Sequence, residues 1–193
     1  MLVEVPHAGL ALDAETLAWT IAPAASIARD ADLYVDSLMQ DAPAEGATLL
    51  VSKASRYLVD LNRGEQDCDA EAVEGGGRVP WPRGVVWRLT TQGAPILVKR
   101  LPRPELERRL ALLYRPYHEA LRSILRRKRD RFGFALLLCA HSMPAQRRRG
   151  HPEPASLPAD LVPGTRGRTS AAGPMIDVVD RLGRAQGWTV RHD

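Results

Sequence analysis

The sequence predicts an α/β protein. Short runs rich in Val and Leu alternate with longer stretches of helical spacing. One continuous apolar run, FALLLC at 134–139, has the length and character of a buried strand. One long stretch, 104–129, repeats Leu106, Leu110, Leu113, Tyr117, Leu121 and Ile124 at spacings of three and four, the pattern of a helix with one apolar face.

The elements follow in order. Residues 2–5 read as a strand that stops at Pro6, and 48–52 as a second, rich in Leu and Val. Residues 85–89 and 96–98 flank Thr91-Gln92-Gly93 and read as a hairpin. Residues 134–139 are expected to form a central strand covered on both faces. Helices are expected over 32–40, 104–129 and 171–185. In the long one, Pro104 suits the first turn, Glu105 and Glu107 its positive end, and the arginines and Lys128 its negative end; Pro116 should kink it. In the last, Met175, Val178, Val179 and Leu182 make the apolar face; Gly187 ends it, and 188–190 start a last strand. Residues 64–84 and 144–160 read as long Gly/Pro-rich loops of functional or mobile character.

Composition bounds the function. At 193 residues with 45% hydrophobic and 26% charged residues, the chain suits one ordinary folded domain. No apolar run reaches the roughly 18 residues needed to span a bilayer, and MLVEVPHAGL has no basic start or long apolar stretch, so no signal peptide is read and a cytoplasmic setting is expected. Two cysteines, Cys68 and Cys139, with no CxxC spacing, argue against both a disulfide framework and a cysteine zinc site. The net charge is +4, and the excess sits in RSILRRKRDR (122–131) and QRRRGH (146–151). The helix dipole accounts for the first cluster. With no aromatics interleaved, a nucleic-acid partner is not indicated, whereas a small acidic substrate suits a positive surface.

The chemistry sits where strands end. Residues 2–5 run into His7-Ala8-Gly9, and 134–139 run into His141-Ser142-Met143. Ligands of open α/β sheets bind beyond the carboxyl ends of the strands. Two imidazoles and a carboxylate form a zinc set that leaves a position for water. Asp30, Asp32 and Asp36 all offer the carboxylate, though Asp30 or Asp32 would equally serve as a helix cap. His118, His151 and His192 are not expected to be ligands. In SRYLVDLNR (55–63), Arg56 and Arg63 can hold carboxylates, Asn62 or an arginine can hold a developing oxyanion, and Asp60 can pair with an arginine; a surface salt-bridge cluster is the plain alternative.

The order and spacing of VPHAG (5–9), DADLYVDSL (30–38), SRYLVDLNR (55–63), GVVWRLTTQG (84–93), YRPYHEAL (114–121), LLLCAHSMP (136–144) and LVPGTRG (161–167) resemble the N-formylglutamate amidohydrolase family. The resemblance implies a phosphorylase/hydrolase-like α/β fold: three layers, with a mixed central sheet flanked by helices as in zinc carboxypeptidases and aspartoacylase-like enzymes. It implies one zinc ion and cleavage of N-formyl-L-glutamate to glutamate and formate, in histidine degradation. His7, Asp32 and His141 become the metal ligands, with Asp30 in reserve. Arg56 and Asn62 become catalytic groups, and Arg56, Asn62 and Arg63 bind substrate. Two departures stand out. The family usually places an aspartate where Cys139 stands, so a carboxylate that would orient a histidine is expected to be missing. The family also continues into a PY-x-GG-like segment and a glutamate-bearing strand beyond Asp193, so the single domain is expected to be C-terminally incomplete. The alternatives are a non-catalytic member acting as a binding protein, and a hydrolase of another N-acyl or peptide-like amide.

Overall fold

A computed structural model describes residues 1–77, 82–143 and 159–192. The chain forms two compact units, Met1–Ser142 and Met143–Asp193. The first unit is built on β1 (Leu2–Val5), β2 (Thr48–Val51) and β3 (Leu137–Cys139), all parallel in the order β2-β1-β3. Antiparallel pairing among the described residues is confined to isolated bridges, Thr20 with Leu97, Arg83 with Trp87 and Leu89 with Pro95.

Helices cover both faces of the sheet. Side chains alternate along a strand. Val3 and Val5 pack with Val35 of α3 (Val35–Leu38) and with Ala140. On the opposite face Glu4 accepts a hydrogen bond from Tyr117 Oη at 3.0 Å. Tyr117 belongs to a larger core with Tyr57, Leu58, Val59, Trp87, Leu106, Leu110 and Tyr114. The two helices absent from the sequence reading, α1 (Ala14–Ala18) and α2 (Ala24–Asp30), lie between β1 and α3. They have too few turns to develop an apolar period, and α1 starts on the Asp13 cap, whose carboxylate accepts from Thr16 N at 2.6 Å.

The long helix forms in three parts: α4 (Arg103–Arg109), a π-turn over Leu110–Tyr114, and α5 (Arg115–Phe132). The expected irregularity at Pro116 takes this form. Proline has no N–H for an i−4 carbonyl and its ring crowds that carbonyl, and a widened turn just ahead of it relieves both. Gly133, at φ +78°, closes α5 with its N–H on Arg129 O.

Three expectations change. The run 134–139 is not a central strand. Only Leu137–Cys139 pairs, at a sheet edge, with Leu137 and Leu138 45% and 43% exposed; β1 takes the centre because it alone has a partner on each side. The segment 64–84 is not simply a loop. Cys68, Ala72 and Val73 are core residues, and Gly84 passes so near Asp67 O that a Cβ there would lie 2.0 Å from it. Local Gly and Pro content hid this long-range packing. The predicted helix over 32–40 shrinks to α3. The hairpin over 85–98 does form as a tight reversal, closed by Thr90 N to Ala94 O and Ile96 N to Arg88 O.

The second unit holds α6 (Gly173–Ala185), followed by Gly187 at φ +78°, and a parallel bridge from Leu161 to Val190 in place of a full last strand. Its buried contacts come from Ile176, Gly183 and Val190, while Met175, Val178, Val179 and Leu182 are exposed, the reverse of the expected apolar face. Gly183 decides this: a Cβ there would meet Val190 Cγ2 at 2.8 Å, so the close approach of the returning chain selects the face that carries glycine. Residues 144–158, with the 146–151 arginines and His151, lie outside the described residues.

Candidate metal centre

The register brings the two histidines together. Glu4 pairs with Cys139 across β1 and β3, so His7 stands three residues past that rung and His141 two. Their ring centroids are 5.0 Å apart. Gly9 then lets the chain after β1 run against the chain after β2; a Cβ at Gly9 would lie 2.1 Å from Lys53 C. That contact sets the His7 turn beside the 55–63 segment.

Asp32 enters from the α2–α3 turn. Its N–H donates to His7 O at 2.9 Å, and Tyr34, at φ +67°, bends the chain into α3. A left-handed non-glycine residue costs about 1–2 kcal/mol, which the packing of Val35 beneath the sheet helps to offset. Asp32 Oδ2 lies 2.9 Å from His141 Nδ1 and 3.6 Å from His7 Nδ1, and Oδ1 accepts from Ser142 Oγ at 3.2 Å. His7, Asp32 and His141 each offer a ligand atom within 4.8 Å of the others. His7 is 1% and Asp32 8% exposed, whereas the His141 side chain is 32% exposed, so the cluster opens to solvent on the His141 side.

Electrostatics bind the cluster further. Burial works against a charged His7, but its contacts with Asp32 and Asp60 outweigh burial and raise its pKa. Burial likewise works against an ionised Asp32, and the two histidines hold it well below the usual carboxylate range. The other carboxylates serve elsewhere. Asp30 accepts from Tyr57 Oη and from Thr91 N and Oγ1, and Asp36 pairs with exposed Lys53.

The 55–63 segment supplies a hub that the sequence reading had only as an arginine partner. Asp60 is fully buried. Its Oδ1 receives His7 Nε2 (2.9 Å) and Asn62 N (2.8 Å); its Oδ2 receives Arg56 Nε (3.2 Å) and Nη2 (2.9 Å) and Trp87 Nε1 (2.8 Å). Burial would raise its pKa, but His7, Arg56 and the Asn62 N–H hold it well down. Position 139 carries no carboxylate for His141, as expected, but a different carboxylate orients the other histidine. It comes from Asp60 and acts on His7, and the signal for it was an acid set among Leu58, Val59 and Leu61, where an unpaired charge would be costly. Trp87, which the sequence left unassigned, also stacks on Arg56 at 4.3 Å. Buried Arg109 ties α4 to this segment through Tyr57 O and Leu58 O.

Arg56 also donates from Nη1 to Asp30 O, and its side chain is only 15% exposed. Asn62 is exposed, with Nδ2 3.4 Å from His141 Nε2. Arg63 is exposed and its guanidinium has no acidic partner among the described residues. Cys139 Sγ lies 3.0 Å from His141 Nε2, and burial, with Glu4 nearby, pushes its thiol pKa up, so it stands there as a neutral thiol. His118 and His192 are engaged elsewhere, with Leu61 O and Asp180.

Comparison with known proteins bears on the fold and the family. A crystal structure of N-formylglutamate amidohydrolase from Ralstonia eutropha JMP134 superposes with a TM-score of 0.89 at 30% identity, covering 99% of this chain and 70% of that one. N-formylglutamate deformylases from Pseudomonas putida and Pseudomonas aeruginosa are 33% and 31% identical over 145 and 146 residues, 74% of this chain in each case. Those alignments cover 51% and 52% of the two enzymes, so the chain spans about half the length of the curated relatives it matches. The family model for N-formylglutamate amidohydrolase matches residues 1–193, and the chain belongs to that family.

Proposed function

We propose that this chain holds one zinc ion through His7, Asp32 and His141 and serves the hydrolysis of N-formyl-L-glutamate to glutamate and formate. One observation carries the metal reading. His7 Nδ1 is buried, faces Asp32, and has no hydrogen-bond partner among the described residues. A buried lone pair left unmet is costly, and a cation beside an ionised carboxylate and a second imidazole meets it. The donor set of two imidazoles and one carboxylate suits zinc in a catalytic site. When bound, zinc would polarise the amide carbonyl and lower the pKa of a water molecule.

The chain's own groups divide the remaining work. Exposed Arg63, without an acidic partner among the described residues, holds a substrate carboxylate. Asn62, on the open side of the cluster, donates to the carbonyl oxygen of the bond being cleaved. Arg56 is anchored by Asp60 and Asp30 and keeps N–H groups to spare, so it presents a fixed positive charge to the same oxygen. That its relatives are N-formylglutamate deformylases supports the substrate. The test measures zinc content and formate release from N-formylglutamate separately, with His141→Ala as control. Wild-type protein should do both and the variant neither. Zinc retained without formate release would favour the alternative of a binding protein, and release only from larger N-acyl compounds would favour a different amide.

A further inference from the structure

We infer that Tyr114 and His118 are positioning residues for the turn that carries Asn62 and Arg63. They clamp the carbonyls that bracket those two residues, and so hold both side chains at the open side of the histidine cluster. The inference rests on the roles proposed above for Asn62 and Arg63, but the clamp itself can be observed without substrate.

The turn is short and exposed. It closes on Arg63 N to Asp60 O at 3.3 Å, with Asn62 N on Asp60 Oδ1 at 2.8 Å. Leu61 is buried, while Asn62, Arg63 and Gly64 are exposed. These inner bonds fix the start of the turn and leave the carbonyls of Leu61 and Arg63 to be met by other groups. Tyr114 Oη donates to Arg63 O at 2.7 Å. His118 Nε2 lies 3.1 Å from Leu61 O, and since a carbonyl only accepts, that nitrogen donates. The Leu61 carbonyl belongs to the peptide entering Asn62, and the Arg63 carbonyl to the peptide leaving Arg63. A peptide unit is planar, so holding both planes leaves the two residues between them little backbone freedom.

The π-turn over Leu110–Tyr114 brings the clamp to this face. Arg109, just ahead of it, donates to Tyr57 O and Leu58 O of the same segment. Five residues of α-helix would carry Tyr114 about 140° round from Arg109. In a π-turn the fifth residue lies one turn on, so Tyr114 returns to the side of Arg109, and His118 follows a turn later. One face of the broken helix thus caps the carbonyls of Tyr57, Leu58, Leu61 and Arg63.

The clamp is braced against the sheet. The His118 ring packs on Tyr114 with centroids 4.3 Å apart and meets Tyr117 edge-on at 5.6 Å. Tyr117 Oη in turn holds Glu4 of β1 at 3.0 Å. Strand β1 leads into His7, so one stretch of helix fixes both the turn that carries Asn62 and the strand behind the first histidine. Burial pushes the pKa of His118 down, against the bond to Leu61 O, so the ring is neutral at pH 7 and its single N–H is the one given to Leu61.

Three variants test this. Tyr114→Phe keeps the ring and deletes one hydroxyl. His118→Leu deletes the donor to Leu61 O, and His118→Gln restores an N–H at similar reach. Backbone ¹⁵N relaxation of the full chain should show Asn62, Arg63 and Gly64 loosened in Tyr114→Phe and His118→Leu, with Asp60 and Arg109 unchanged and His118→Gln close to wild type. Zinc content should stay at the wild-type level in all three. With N-formylglutamate, Tyr114→Phe should raise KM about threefold to tenfold, the worth of one neutral hydrogen bond, at unchanged kcat, because Arg63 binds the substrate carboxylate. His118→Leu should lower kcat by a similar factor, because Asn62 serves the transition state, and His118→Gln should recover it. Wild-type relaxation at residues 62–64 in Tyr114→Phe would overturn the proposal, whatever the kinetics. So would losses in kcat and KM shared alike by Tyr114→Phe and His118→Leu and not recovered by His118→Gln, the mark of general loosening. A wild type that releases no formate would strike at the proposed substrate instead, and relaxation would still decide the clamp.

Discussion

His7 and Arg63 mark the two ends of the range of environments in this site. His7 is sealed, with one nitrogen committed to Asp60 and the other turned toward Asp32. Arg63 is exposed and has no acidic partner among the described residues. A buried group of the first kind positions; a free cation of the second kind binds. Arg63→Ala should therefore leave zinc content unchanged and raise KM for N-formylglutamate about tenfold to a hundredfold, the equivalent of a charged hydrogen bond of roughly 1.5–3 kcal/mol. Steady-state kinetics beside metal analysis checks this. A fall in kcat with KM unchanged would place Arg63 in the transition state rather than in substrate binding.

At the scale of elements, the site depends on short connections tied down by charge. Arg108 of α4 reaches Asp13, the cap of α1, at 2.8 Å, and also pairs with Glu15 and Glu105. Asp13 is consequently depressed to about 2: burial opposes ionisation, but Arg108 and the Thr16 N–H outweigh it. Its folded pKa lies below the unfolded value near 4, so its contribution is complete above that value and is lost as pH falls toward about 2. Asp13→Ala should lower stability by about 1 kcal/mol at pH 7, in line with loss of a helix cap. The difference from wild type should shrink between about pH 4 and pH 2, as urea titrations at several pH values would reveal. An equal difference at pH 7 and pH 2 would mean that the carboxylate charge is not what holds α1 to α4.

For the whole molecule, the proposed metal would link to the fold. No helix among the described residues is long and apolar enough to cross a membrane, and the first unit carries all three proposed ligands. A ligand that binds only the folded state stabilises it by about 2.7 kcal/mol at a hundred times its Kd. For a chain of this size that is about 5–10 °C in Tm. Zinc should raise Tm by that amount in wild type and not in His7→Ala, as scanning calorimetry would measure. A zinc-dependent rise retained in His7→Ala would remove His7 from the ligand set.

Much of this was present in the sequence. Strand β1 was readable because Val and Leu alternate with one acid and stop at a proline. The long helix was readable because its apolar positions recur over many turns, and His7 and His141 stood out because each follows a strand. The carboxylate partner was pointed to as Asp32 by the family resemblance but not by residue chemistry, because Asp30, Asp32 and Asp36 are chemically alike and only their surroundings differ: Tyr57 and Thr91 take the first, Lys53 the last. Local pattern also misplaced the FALLLC run. Its composition suits burial on both faces, but a strand's place in the sheet depends on how many neighbours pair with it. The sequence by itself determined the residue types, their periodicity and the family they resemble, because those are properties of the chain read in order. Tertiary structure alone showed the contacts themselves, Asp32 beside the two imidazoles, where the resemblance had put it, and Asp60 on His7. Those contacts join residues up to 109 positions apart, and a distance closed by parallel register and by the passage of Gly9 against Lys53 leaves no periodic trace along the chain.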